Sequence, residues 1–175
     1  MPFGNDAHPE FVAAVRTSQL IVGSLALGVL LFAGVVLQMH GLMPWPKRWE
    51  DVDLTAASAP LFALLVLPVQ AIVPRLTTAA GVRMQGLDDP ARGDDPDAWR
   101  AWFGLYQTQL IIGCALCEGI AFMNLAFYMM FRQSICLPGA ALLWIVILLK
   151  FPTPEKVGAW IETRQRRVRD DARFD

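Results

Sequence analysis

Charge is what this chain of 175 residues has least of: 18% of its residues are charged against 55% hydrophobic, and mean hydropathy is +0.41. An ordinary soluble domain carries about 25% charged residues, so the deficit excludes a water-facing surface over most of the chain and assigns it to the membrane class. Cysteine is equally sparse. Cys114, Cys117 and Cys136 are an odd number, and a helix would hold the pair three apart too widely to bridge, so no disulfide framework exists to staple the fold. Cys114-x-x-Cys117 also lacks a second pair, and neither His8 nor His40 lies near it, so these thiols are read as small helix-contact residues and no metal is expected. A net charge of -1 gives no basic excess for nucleic acid. The sequence holds no Ser/His/Asp set, phosphate-binding glycine loop or His-Glu-x-x-His pattern. No enzyme and no cofactor is therefore expected. The opening MPFGNDAHPEFVAAVR lacks the basic character of a signal peptide, so the first apolar run is expected to be retained.

What the chain does have is four apolar runs, with spans expected at about 10–39, 54–76, 98–131 and 135–151. Thr17 to Met39 contains no charge and as helix is about 35 Å long, enough for the hydrocarbon core with some tilt. Leu54 to Val73 is also uncharged but carries Pro60 and Pro68. Pro68 has no N–H for the carbonyl of Leu64, so a kink and a freed acceptor are expected there. Leu137 to Phe151 is short, at about 22 Å of helix, so it is expected to thin the bilayer, to borrow residues from its flanks, or to let Lys150 snorkel to the surface.

A polar segment joins spans two and three, with Asp88, Asp89, Asp94, Asp95 and Asp97 interrupted by Pro90 and Pro96. It reads as solvated turns, with Asp95 capping the helix that leads into span three. After Pro152 and Pro154, Val157, Trp160, Ile161 and Val168 recur at helical spacing opposite Lys156, Arg164, Arg166, Arg167 and Arg169. Residues 154–175 are thus a basic amphipathic tail on a 1–153 membrane domain, read either as lying apolar side down on anionic lipid or as a solvated charged tail. With four spans, twelve of the fifteen Lys and Arg fall on the side of the termini and the middle segment, against Lys47, Arg48 and Arg132 on the other. The positive-inside rule then sets both termini in the cytoplasm and the chain in the cell (inner) membrane.

The expected fold is all-α, a four-helix bundle of membrane spans. SQLIVGSLALGVLLF (18–32) aligns with TQLIIGCALCEGIAF (108–122) at an offset of 90, matching Gly23 to Gly113 and Phe32 to Phe122. Pro60 and Pro74 align with Pro138 and Pro152 at an offset of 78. Two hairpins in parallel orientation follow as the expected arrangement.

Span three carries the candidate site. At 100° per residue Gln107, Cys114, Cys117, Glu118, Ala121, Asn124, Leu125 and Tyr128 share an arc of about 120°, with Leu116, Ile120, Met123, Phe127 and Met130 opposite. The polar arc is expected to face other helices and the bulky arc lipid. Gly28, aligned with Glu118 by the repeat, would leave room for its carboxyl, and with Ser24 it forms a small-xxx-small pair. A lone ionised carboxylate in hydrocarbon is too costly, so Glu118 is expected neutral, donating to the Cys114 carbonyl, the Ser24 hydroxyl or the Leu64 carbonyl freed by Pro68. ALCEGIAFMNLAFYMMF (115–131) resembles the carboxylate-bearing helix of the proteolipid c subunit of rotary ATP synthases. That resemblance implies an ion-binding role for Glu118. The function expected first is a non-enzymatic accessory or scaffold protein, with a second copy or another membrane protein as partner besides the lipid bilayer. The alternative is proton or cation handling through Glu118.

Overall fold

The computed structural model describes residues 9–43, 45–46, 48, 52–84, 86–87 and 98–171, all of them helix, turn or irregular, with no strand among the described residues. Helix α1 is Pro9–His40, α2 is Leu54–Met84 and α3 is Ala98–Phe131; a short 3-10 turn, Ser134–Cys136, leads into α4, Leu137–Leu149, and α5 is Pro154–Asp171. Three helices, α1, α2 and α3, are long and apolar enough to cross a membrane. The 3-10 turn with α4, followed by α5 after a 76° bend, makes a fourth candidate. Asp95, the acidic cluster 88–97, Lys47 and Trp49 lie outside the described residues.

Local chemistry sets the ends of these helices. The Asp53 carboxylate accepts the Thr55 N–H at 2.8 Å and caps α2. Gly41 closes α1 with φ +69°, its N–H returning to the Leu37 carbonyl at 2.7 Å. Arg132 does the same for α3 with φ +54°, donating to Tyr128 O at 2.8 Å. The break between α4 and α5 falls at Phe151-Pro152-Thr153, and Thr153 with Pro154 behind it restarts the helix, accepting the Lys156 N–H at 3.4 Å. α2, by contrast, runs helical through Pro60, Pro68 and Pro74 and continues to Met84.

α3 is the element against which α1, α2, α4 and α5 all pack. α1 runs parallel to it: Glu10 pairs with Arg100 at 2.7 Å, and the rings of Phe32 and Phe122 meet edge-on at 5.3 Å. Both pairs are separated by 90 residues, the same offset at which the sequence aligns with itself. α2 is antiparallel to α3, with Thr78 donating to Gln109 at 3.1 Å and Cys117 to Gln70 at 3.1 Å. α4 is antiparallel as well, setting Gly139 against Asn124 and Lys150 against Gly113. Outward positions such as Leu20, Leu27, Leu31, Leu61, Leu65 and Met130 are exposed and apolar, as helices bathed in hydrocarbon require.

Two apolar clusters hold these helices together. One joins α1, α2, α3 and α4 through Val22, Val29, Ala63, Leu125 and Leu143. The other, at the starts of α1 and α3, contains Phe11, Val15, Trp102 and Phe103 together with Val157 and Ile161 of α5. This corrects the reading of the tail as a helix with its apolar side on the membrane. Val157 and Ile161 are 0% exposed, and Trp160 packs edge-on against Tyr106 at 5.4 Å. The 76° bend turns α5 back over α1 and α3, whose aromatic ends supply the apolar surface its stripe needs.

At the opposite end, the α1–α2 connection is latched to the α3–α4 corner. Tyr128 Oη donates to Gly41 O at 2.5 Å and accepts from Met43 N at 3.1 Å. Ser134 Oγ donates to Met43 O, and Gln133 Oε1 accepts the Asp53 N–H at 3.1 Å.

Candidate functional site

The arc read from the α3 sequence is the one that packs. Cys114, Cys117, Ala121, Asn124, Leu125 and Tyr128 are buried, while Gln107 and Glu118 are half-buried. Among the bulky residues of the opposite arc, Met130 is exposed and Leu116, Ile120, Met123 and Phe127 are half-buried. Small neighbours make the packing possible. A Cβ on Gly139 would collide with Asn124 Oδ1 and lie 3.3 Å from Ala63 Cβ, so α2, α3 and α4 converge where α4 has no side chain. Asn124 donates from Nδ2 to Ile120 O at 2.8 Å, and its buried Oδ1 has no hydrogen-bond partner among the described residues.

Glu118 lies on the α1 flank of α3. A Cβ on Gly28 would stand 3.2 Å from Glu118 Oε1 and 3.8 Å from Phe122 Cζ, so the carboxyl occupies the space that this glycine leaves. None of the three expected partners is bonded to it. Ser24 is exposed and donates instead to Ile21 O of its own helix at 2.8 Å. Leu64 is 56% exposed, on α2, which holds the other flank of α3 through Gln70 and Cys117. The Cys114 carbonyl, one turn back on the same helix, stays in the helical ladder, and the carboxyl leans toward α1. The partner expectation failed because it matched depth along the helices without knowing which flank each helix occupies. Of the remaining candidates, Gly23 has open space around it, Pro68 is exposed on α2, and Gly113 is buried beneath a lysine.

That lysine is Lys150: a Cβ on Gly113 would be 2.5 Å from Lys150 Nζ and 3.9 Å from the Gln70 carbonyl, so the ammonium lies over the glycine between α2 and α3. The short α4 ends about halfway along α3, and its last side chain has protein on its inner side. The sequence signals were the shortness of that run and a glycine with no evident packing role in span three, but nothing local connects them.

Lys150 and Lys156 line a cavity of about 230 Å³ with Gln70, Tyr106 and Gln109. Sequence reasoning passed over Gln70, Tyr106 and Gln109, because a single polar residue in an apolar helix shows no direction until its neighbours are known.

No family model, curated protein or solved structure matches this chain. The likeness of residues 115–131 to the proteolipid helix therefore rests on those residues alone. Fold and site together define a class: an all-helical protein with three to four helices long and apolar enough to cross a membrane, carrying a carboxyl on one flank of its central helix and a lysine-lined cavity on the other.

Proposed function

We propose that the chain is a non-enzymatic accessory or scaffold protein of the cell inner membrane. In this reading it is a four-span bundle of two parallel repeated hairpins with both termini in the cytoplasm, and its α1–α3 flank docks a helix of another membrane protein or of a second copy. One observation carries the reading: the Glu118 carboxyl is half-buried beside Gly28 and, among the described residues, has no hydrogen-bond partner. Lipid tails offer it none, and a neighbouring helix would. The surface beside it suits close approach, since Ala115 is exposed and nothing lies within 4 Å of a Cβ on Gly119. Glu118→Ala should reduce recovery of the chain's membrane partner, or of its oligomer, in crosslinking from native membranes. Glu118→Gln, which keeps hydrogen-bonding capacity, should retain it. Equal crosslinking by wild type and Glu118→Ala would remove the docking role.

Proton or cation handling is the second reading, favoured by the same carboxyl being reachable from the α1–α3 groove. In reconstituted vesicles it requires a proton or cation flux that Glu118→Gln abolishes while assembly persists. Flux unchanged in Glu118→Gln would eliminate it.

A further inference from the structure

The cavity on the far flank of α3 from Glu118 has a chemistry of its own. Its polar lining consists of the Lys150 and Lys156 ammoniums, the Tyr106 phenol and the side-chain amides of Gln70 and Gln109. The oxygens of both amides are already engaged. Gln109 Oε1 accepts from Thr78 Oγ1 at 3.1 Å, and Gln70 Oε1 accepts from Cys117 Sγ at 3.1 Å. What the two glutamines have left to offer is N–H, so apart from the Tyr106 hydroxyl, which both donates and accepts, the free polar groups of the lining are donors. The Lys150 ammonium has no hydrogen bond and no carboxylate within salt-bridge distance among the described residues, and Glu118 is turned to the α1 flank. Lys156 makes one long contact, 3.3 Å to the Phe151 carbonyl.

More positive charge surrounds the cavity. On α5, Lys156, Trp160 and Arg164 follow one another at helical spacing, with Trp160 against Tyr106 at 5.4 Å and the Arg164 guanidinium over the Trp160 ring at 5.4 Å. Burial, and the nearby Arg167 and Arg75 cations, push the Arg164 pKa down. An ammonium held in a half-buried cavity lined by further donors, with no counter-charge among the described residues, is costly unless something anionic joins it. The depth also fits. Gln70 is level with Cys117 and Thr78 with Gln109, so the cavity spans the place where the uncharged run of α2 ends at Arg75. That border between apolar and charged helix surface is where lipid phosphates lie.

We propose that this cavity, between α2, α3, the end of α4 and the start of α5, is a binding site for a phosphate-bearing anion, held by Lys150 and Lys156 with the Gln70 and Gln109 amides and the Tyr106 hydroxyl as further donors. The phosphate can belong to an anionic lipid headgroup or to a free ion. Gly113 is part of the device, because any side chain there would displace the Lys150 ammonium.

The test uses the full chain in detergent micelles, titrated separately with phosphatidylglycerol, phosphatidylcholine and inorganic phosphate, with the thermal unfolding midpoint as readout. Phosphatidylglycerol, inorganic phosphate or both should raise the midpoint saturably, and phosphatidylcholine should not. A response to the lipid alone identifies a headgroup ligand, and a response to inorganic phosphate identifies a free anion. Lys150→Gln should weaken binding about tenfold or more, as expected for loss of a charge-assisted hydrogen bond. Glu118→Gln, on the opposite flank, should bind like wild type whatever the fate of the docking reading. If Lys150→Gln does not fold, Lys156→Gln at the exposed mouth carries the same expectation. No shift with either anion, an equal shift with phosphatidylcholine, or full affinity in the folded lysine variant would overturn the proposal.

Discussion

At Tyr128 one hydroxyl holds two backbone groups from another part of the chain, accepting from Met43 N and donating to Gly41 O. Removing it strands both in a part-buried place, so Tyr128→Phe should lower stability by about 1–3 kcal/mol, read as a lower thermal midpoint in detergent. Arg132 presents the opposite case. Its φ of +54° is one that L side chains avoid, at the position after α3 where glycine is the usual residue. Arg132→Gly should therefore raise stability by up to about 1 kcal/mol in the same assay. Gly139 admits no side chain, because a Cβ there collides with Asn124 and crowds Ala63. Gly139→Val should cost about 1–3 kcal/mol through overpacking. Glu118 and Lys150 stand apart from these structural residues because each leaves its ionisable group without a partner among the described residues.

Among the elements, α5 shows how one face of a helix can be assigned twice from the same residues. Its stripe of Val157, Trp160, Ile161 and Val168 was legible from spacing alone, but the surface beneath it is Phe11, Trp102 and Phe103 rather than lipid. Ile161→Asp should release the helix, so that limited proteolysis cuts between Pro152 and Pro154 faster than in wild type while α1 to α3 stay protected. Unchanged cleavage would mean that the buried contact contributes little to holding α5. The arc of α3 was legible for a sound reason: on a regular helix the direction of each side chain follows from its number. Gly28 beside Glu118 and Phe32 against Phe122 stand at the offset of 90 used to align the two segments, because α1 and α3 run parallel in that register. The partners proposed for Glu118 were not legible. Ser24 and Leu64 match its depth, but depth does not say on which side of α3 each helix stands.

For the molecule as a whole, the proposed orientation rests on where lysine and arginine fall. Single cysteines introduced at Ala13 and at Leu42 into a chain lacking its three native thiols should label from opposite sides of the membrane, with Ala13 reached only after permeabilisation from outside. Labelling of both from one side would break the four-span topology. The sequence by itself determined that the chain is helical and that its helices are long and apolar enough to cross a membrane. Both properties are local: in hydrocarbon a backbone must satisfy its own hydrogen bonds, and length and polarity are counted along a single segment. Tertiary structure alone decided that Ser24 and Leu64 are not the partners of Glu118, that Lys150 lies over Gly113, and that α5 covers Trp102. Those outcomes depend on which helices neighbour one another and at what angle, and such relations join residues as far apart as Gln19 and Pro152, 133 positions along the chain, where short-range sequence pattern carries no direction.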